Sequence, residues 1–90
     1  MTQETHIYVT GVVQGVGFRA TVKRHAIFYD IKGYVRNLPD GRVEICAQGK
    51  ESQVNDFLKL IEQKPGLASI SHIETLSKMV GETFYSFEIR

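Results

Sequence analysis

The chain contains 90 residues and has a mass of 10.2 kDa, so it has room for one compact domain, residues 1–90, and not for two. Hydrophobic residues make up 42% of the sequence and charged residues 23%, a balance that is typical of a globular protein and excludes a disordered chain. Eleven basic and ten acidic residues give a formal net charge of +1, which is too small to indicate binding to nucleic acid or to an acidic membrane surface.

Cysteine and histidine are too sparse in the sequence to indicate a disulfide or a metal site. Cys46 is the single cysteine, and we expect it to be a small buried residue. The three histidines, His6, His25 and His72, show no metal-ligand spacing with one another or with Cys46. The polar N-terminus is not a secretory signal, and no run approaches the roughly 20 apolar residues that span a bilayer. We therefore expect a cytoplasmic protein without a membrane segment and without a bound metal.

The first third of the sequence predicts a strand, a bend and a helix. Ile7 and Val9 alternate with polar neighbours, which predicts a strand with these two side chains directed inward. Three glycines within residues 11–17 predict a bend in the chain. One face of a helix follows, formed by Phe18, Val22, Ala26 and Tyr29. This helix is predicted to end at Asp30–Gly33.

The remainder of the sequence predicts a hairpin, a second helix and two further strands. A Pro-Asp-Gly turn at residues 39–41 stands between two β-prone runs, which indicates a hairpin. Apolar spacing predicts a helix from about Glu51 to Gln63, ended by Pro65-Gly66. Residues 70–76 form a weakly patterned strand. A last strand is predicted to bury one face, formed by Tyr85, Phe87 and Ile89.

The predicted order β-α-β-β-α-β, with an extra C-terminal strand, indicates a ferredoxin-like α/β (α+β) sandwich, an antiparallel sheet with both helices on one face. In this topology the first and second strands run the same way on either side of the third. The glycine-rich loop after the first strand and Asn37 after the second should then lie at one edge, about 10 Å apart at about 4.8 Å per strand spacing. The fold therefore predicts that these two candidates for chemistry are neighbours.

The glycine-rich loop is the stronger of these two candidates. Backbone amides at a helix N-terminus bind anions, and glycines let the backbone curl around the ligand. Arg19, in the first helical turn, offers a planar fork of donors that matches two phosphate oxygens. A cation here opposes the helix dipole, and a residue that breaks a local rule suggests function. A tight turn beside a solvated arginine fits the same residues, and the sequence alone does not choose between them.

Three nucleotide-binding or RNA-binding motifs fit less well. Residues 15–20 match G-x-G-x-x-A, but a hairpin after the helix is incompatible with a parallel dinucleotide-binding sheet. The phosphate loop of nucleotide hydrolases is absent, since no Gly-Lys-Ser/Thr follows. An RNA-recognition module has the same element order but presents aromatic residues on its third strand, whereas residues 42–46 contain no aromatic residue and an acid, Glu44. We therefore expect no nucleic-acid partner.

Two segments closely resemble the two signature segments of the acylphosphatase family. These are residues 11–19 (GVVQGVGFR) and residues 33–44 (GYVRNLPDGRVE), and residues 84–89 are also similar to the family's terminal strand. Their order, their separation and the chain length fit, and the resemblance covers essentially the whole chain. The family often has cysteine where this chain has Gly17, although glycine occurs there too.

The resemblance implies a hydrolase acting on acid anhydrides, an acylphosphatase that cleaves the carboxyl–phosphate bond of small acylphosphates to carboxylate and inorganic phosphate. It implies that Asn37 positions the attacking water and that Arg19 is catalytic. It implies that phosphate is held by Gln14, Gly15, Val16, Gly17, Phe18 and Arg19. No metal or cofactor is implied, and inorganic phosphate is expected to be both product and inhibitor of a monomeric enzyme.

Two alternatives bear on this interpretation. The same fold and motifs occur as an N-terminal domain of larger carbamoyl-phosphate-processing maturation proteins; because this sequence has no linker before residue 90, we expect a free-standing enzyme. A catalytically idle anion-binding or regulatory module also fits the residues. The acyl group of the substrate is left open, since nothing near the loop specifies a large pocket.

Overall fold

A computed structural model describes residues 2–90 as two helices and a five-stranded mixed sheet. The strands are β1 (Gln3–Val12), β2 (Lys32–Asn37), β3 (Val43–Gly49), β4 (Ser69–Lys78) and β5 (Phe87–Ile89). The helices are α1 (Phe18–Phe28) and α2 (Glu51–Gln63). Neither helix combines the length and the apolar character that crossing a membrane requires.

The strands lie in the order β4-β1-β3-β2-β5. The central strand β3 is antiparallel to both β1 and β2, so β1 and β2 run in the same direction. The extra strand β5 is parallel to β2 and lies outside it at the edge of the sheet. This arrangement confirms the ferredoxin-like sandwich with an added C-terminal strand.

Both helices pack on the same face of the sheet and form one apolar core with it. Strand side chains point alternately to the two faces, so residues two apart, such as Ile7 and Val9, face the helices together. The helices contribute residues at helical spacing, as predicted. The fully buried members with the largest side chains include Phe18, Val22, Phe57, Ile61, Ile45 and Ile31. This core fixes which side of each strand is left to face away from the helices.

The first helix ends where the sequence predicted, and the backbone gives the reason. Asp30 has a φ of 56°, in the left-handed region, which turns the chain out of the helix. The amide of Ile31 then donates to the carbonyl of Ala26 at 2.8 Å, which satisfies one of the last carbonyls of the helix. The chain can therefore reverse directly into β2.

The two edge strands differ from their predicted forms. β4 extends to ten residues but buries none of them, because it is held by pairing with β1 rather than by a buried face. β5 has three residues, and the prediction that Tyr85, Phe87 and Ile89 share a buried face is wrong. Phe87 alone is buried, against Phe57, while Tyr85 is 86% exposed and lies before the strand. An edge strand this short contributes one side chain to the core.

The open face of the sheet, the face away from the helices, is partly covered by residues 79–86, here called the crossing segment. This segment connects β4 at one edge to β5 at the other. It is attached to β3 through Gln48, whose side chain donates to the carbonyl of Glu82 and accepts from the amide of Phe84. β3 is consequently buried on both faces, which explains why Cys46 is buried as expected.

Two phenylalanines provide a test of this core. Phe57→Ala should lower the free energy of unfolding by about 3–5 kcal/mol, because it leaves a cavity among fully buried side chains. Phe28→Ala should lower it by less than about 1 kcal/mol, since Phe28 is 75% exposed. Urea unfolding followed by circular dichroism measures both. Equal losses in the two variants would show that the core is assigned incorrectly.

Candidate active site

The loop between β1 and α1 has the backbone conformation of an anion-binding nest. Gly15 and Gly17 have φ values of 77° and 76°, whereas Val16 between them has negative φ. Alternation of this kind turns successive amide hydrogens toward the same side. The positive φ values at these two positions favour glycine. A Cβ atom at either position would meet nothing within 4 Å, so the space beside the loop is open.

Within residues 2–90, the backbone amides of this loop have no protein acceptor. Gly17 is the N-cap of α1 without a side-chain cap, and the first turn contains no acid. Among the backbone hydrogen bonds that the described residues form in turns, loops and helix caps, none has its donor amide in residues 15–19. Phe18 is fully buried and Val16 packs against the core, so their side chains anchor the loop. The loop therefore presents a helix N-terminus, with its partial positive charge, to solvent.

Arg19 lies in the first turn of α1 and is directed toward the end of β5. Its Nη1 donates to the carbonyl of Arg90 at 3.1 Å, and the amide of Arg90 donates to the carbonyl of Val35 in β2 at 2.8 Å. Among residues 2–90, no Asp or Glu carboxylate lies within ion-pair distance of the Arg19 guanidinium. Most of its five N–H donors are thus available to a ligand.

Asn37 ends β2, opposite Val43 in β3, and its side chain is exposed. The hairpin that follows is closed by a bond from the Leu38 amide to the Arg42 carbonyl at 2.8 Å. Asp40 stabilises the turn, as predicted, by accepting from the Arg42 amide at 3.0 Å. Within residues 2–90 the Asn37 side chain has no hydrogen-bond partner, so both its amide nitrogen and its oxygen can bind water.

Gln14 joins the loop to the hairpin. Its Nε2 donates to the carbonyl of Leu38 at 2.8 Å and to that of Arg42 at 2.9 Å. These carbonyls flank the turn that follows Asn37, so the two candidate segments are in contact, in agreement with the predicted edge. The sequence suggested that Gln14 holds phosphate; its side-chain donors bind the hairpin instead, which leaves its backbone for that role.

The other arginines near this edge are neutralised by partners. Arg36 forms an ion pair with Glu44, a neighbour across the β2–β3 pair. Arg42 pairs with Asp40 at 2.8 Å, and its hydrogen bonds hold the pKa of Asp40 below its ordinary value. Arg19 is therefore the arginine at this edge that has no Asp or Glu partner within the described residues.

The structure places two residues close together that the spacing along the sequence did not connect. The sequence showed no ligand spacing between His6 and Cys46, yet these residues are direct partners in the β1–β3 pair. His6 Nε2 lies 3.9 Å from Cys46 Sγ and 2.8 Å from Glu4 Oε2. The two residues are close because of the register in which β1 and β3 pair, which cannot be read from their spacing along the chain.

The fold is an α/β sandwich in which a glycine-rich loop with the backbone conformation of an anion-binding nest contacts a hairpin. Comparison with known proteins gives the family: residues 5–89 match the acylphosphatase model, and the chain belongs to the acylphosphatase family. It is a hydrolase acting on acid anhydrides, and its substrate class is small-molecule acylphosphates.

Individual relatives agree with this assignment. The chain is 48% identical over 83 residues to an acylphosphatase of Archaeoglobus fulgidus, a match that covers 92% of each sequence. The crystal structure of the acylphosphatase from Bacillus subtilis superposes with a TM-score of 0.92 at 33% identity, covering 100% of this chain and 99% of that one. The structure of T. kodakarensis HypF matches 98% of this chain at 37% identity and a TM-score of 0.85, but the match covers 12% of HypF. The fold thus occurs both in relatives of similar length and as a small part of a longer protein.

Replacement of Gln14 tests whether contact between loop and hairpin matters for hydrolysis. Gln14→Met keeps the side-chain length and removes both donated bonds. We expect kcat/KM to fall at least about tenfold, because small displacements of aligned groups are costly, while the free energy of unfolding falls by about 1 kcal/mol. Gln63→Met, at an exposed position ending α2, is the matched control and should change neither quantity. Unchanged kcat/KM in a folded Gln14→Met variant would contradict the proposed coupling.

Proposed function

We propose that the enzyme hydrolyses small acylphosphates by holding the phosphoryl group in residues 14–19 and orienting a water molecule with Asn37, without a metal or cofactor. The observation that carries the proposal is the Gln14 bridge, which brings a loop of free amides into contact with the hairpin after Asn37. Arg19 supplies a guanidinium without an Asp or Glu partner among residues 2–90 at the same edge.

The chemistry of the substrate explains why so few groups are sufficient. The leaving group of an acylphosphate is a carboxylate, which is weakly basic and departs without protonation. Water attacks phosphorus, the bond between phosphorus and the acyl oxygen breaks, and the carboxylate leaves with the bonding electron pair. Catalysis can then consist of positioning and electrostatic stabilisation of the phosphoryl group.

No strong base is required at this edge. The side chain of Asn37 is an amide and does not accept a proton at neutral pH, but it can orient water by hydrogen bonds. Asp40 in the same hairpin is paired with Arg42, and its lowered pKa makes it a weak base. We therefore propose that the proton of the attacking water passes to an oxygen of the substrate's own phosphate.

The enzyme's location and assembly belong to the same proposal. We propose a cytoplasmic monomer. The thiol of Cys46 is free and buried, and burial raises its pKa to about 12 and keeps it unreactive, which is compatible with a reducing compartment. Sedimentation of the purified chain measures the assembly state.

Inorganic phosphate should act as a competitive inhibitor and as a stabilising ligand. The same amides and guanidinium that hold the substrate's phosphoryl group should hold the free anion. At 100 times its dissociation constant, phosphate should add about 2.7 kcal/mol to the free energy of unfolding. Thermal unfolding and steady-state inhibition measure these effects. If phosphate at saturation neither inhibits nor stabilises, the loop is not the anion site.

Arg19 and Asn37 should fail in different ways when replaced. Arg19→Gln should weaken phosphate binding and slow turnover, since the guanidinium contacts phosphate in both the ground and the transition state. Arg19→Lys should also be impaired, because one ammonium does not reproduce the fork. Asn37→Ala should lower kcat roughly 100-fold with phosphate affinity little changed, because a water-positioning group acts in the transition state.

Matched variants separate these effects from unfolding. Arg24→Gln removes an exposed arginine one turn further along α1, and Asn55→Ala removes an exposed asparagine from α2. Both should retain kcat and phosphate affinity. Steady-state kinetics and phosphate titration on each folded variant give the comparison. A normal kcat in Asn37→Ala, or a loss of phosphate affinity as large as that in Arg19→Gln, would assign Asn37 to the hairpin structure instead.

A further inference from the structure

The open face of the sheet carries a cluster of metal-ligating side chains away from the active site. Glu4 and His6 are two residues apart on β1 and point to the same face, and Cys46 lies directly opposite His6 on β3. One side-chain ligand atom from each of the three residues lies within 4.8 Å of the other two. We propose that Glu4, His6 and Cys46 bind a divalent metal ion of the zinc type.

The donor set and its geometry suit zinc. A tetrahedral zinc ion with bonds of about 2.0–2.3 Å separates its ligand atoms by about 3.3–3.7 Å. His6 Nε2 is 2.8 Å from Glu4 Oε2 and 3.9 Å from Cys46 Sγ, which brackets this range. Calcium and magnesium take oxygen ligands, whereas one nitrogen, one sulfur and one oxygen favour a softer ion. Within residues 2–90 no fourth His, Cys, Asp or Glu joins the group, so water completes the coordination.

Charge balance favours a divalent ion in this buried position. Ionised Glu4 and a Cys46 thiolate together carry two negative charges, and a neutral imidazole carries none, so one divalent ion neutralises the site. Metal binding replaces the thiol proton by a metal–sulfur bond and releases that proton to solvent.

The surroundings of the cluster hold its members in place. Gln48 donates from Nε2 to Glu4 Oε1 at 2.8 Å, which leaves Oε2 directed toward His6. Such outer contacts orient metal ligands in known sites. His6 Nδ1 is buried and has no partner among residues 2–90, so the polar contacts of the ring all lie inside the cluster. Because Gln48 also bonds to the crossing segment at Glu82, a bound ion would link β1, β3 and that segment.

The proposed ion is structural and takes no part in hydrolysis. Glu4 and His6 lie at the start of β1, whereas the anion-binding loop follows its end. His6 and Val12 are separated by roughly 20 Å of strand at about 3.3 Å per residue. Zinc should therefore stabilise the fold, and the hydrolysis of an acylphosphate can serve as an independent measure of correct folding.

The experiment is a titration of the chelator-stripped, full-length chain with Co²⁺ and with Zn²⁺. We expect one cobalt ion per chain and a thiolate-to-cobalt charge-transfer band in the near ultraviolet. Zinc at 100 times its dissociation constant should raise Tm by at least about 5 °C. Cys46→Ala and His6→Gln should lose both responses while they still hydrolyse acylphosphate.

His72→Gln is the matched control. His72 and Glu74 have the same spacing on β4, with a separation of 3.5 Å, but both are exposed and the single cysteine is elsewhere. This variant should keep both responses. Absence of the charge-transfer band in the active wild-type chain would overturn the proposal, as would an equal zinc-induced rise in Tm in Cys46→Ala. If Cys46→Ala does not fold, Glu4→Gln provides the same comparison with the side-chain shape retained.

Discussion

The central strand β3 is hydrogen-bonded to β1 on one side and to β2 on the other, and it is antiparallel to both. Two strands that are each antiparallel to a third must run in the same direction, so β1 and β2 end at one edge of the sheet. This constraint brings the glycine-rich loop to the hairpin, where Gln14 and Leu38 make contact although they are 24 residues apart. The same double pairing buries both faces of β3. Its polar side chains consequently need partners, and Glu44 finds Arg36 while Gln48 holds the crossing segment.

At the proposed anion-binding edge, local stability and the proposed chemistry make opposite demands on the first turn of α1. A stable helix start would have a capping side chain and an acid, yet α1 begins at a left-handed glycine and carries Arg19 instead. The buried ring of Phe18, which belongs to the same turn, compensates by packing into the core. The partial positive charge of the helix start and the charge of Arg19 therefore add rather than cancel. The combined positive charge would attract a phosphate group, whereas without a bound anion it lowers the stability of the helix start.

Much of this architecture could be predicted from the sequence, and the exceptions have physical reasons. β1, both helices and the hairpin have strong periodic patterns or turn residues, because each buries one face or requires a special backbone conformation. The sequence patterns of β4 and β5 were weak or misleading, because these edge strands are held by backbone hydrogen bonds, which do not require a particular alternation of apolar and polar side chains. At the candidate site, motifs in the sequence led to the proposals for Arg19 and Asn37, whereas the bridge from Gln14 ends on backbone carbonyls that any residue possesses. The proximity of His6 to Cys46 depends on strand register, which is a long-range property.

The hydrogen bond from Arg19 to the backbone oxygen of Arg90 makes the orientation of Arg19 depend on a segment that is synthesised later. These residues are 71 positions apart, and Arg90 is held by its own bond to Val35 beside β5. A ribosome that adds about 5–20 residues per second delivers Arg90 roughly 4–14 s after Arg19. During that interval β1, α1 and β3 can already be present, but the arginine lacks the carbonyl that fixes its direction. The orientation of Arg19 is thus completed by a segment that emerges well after the loop that begins its helix.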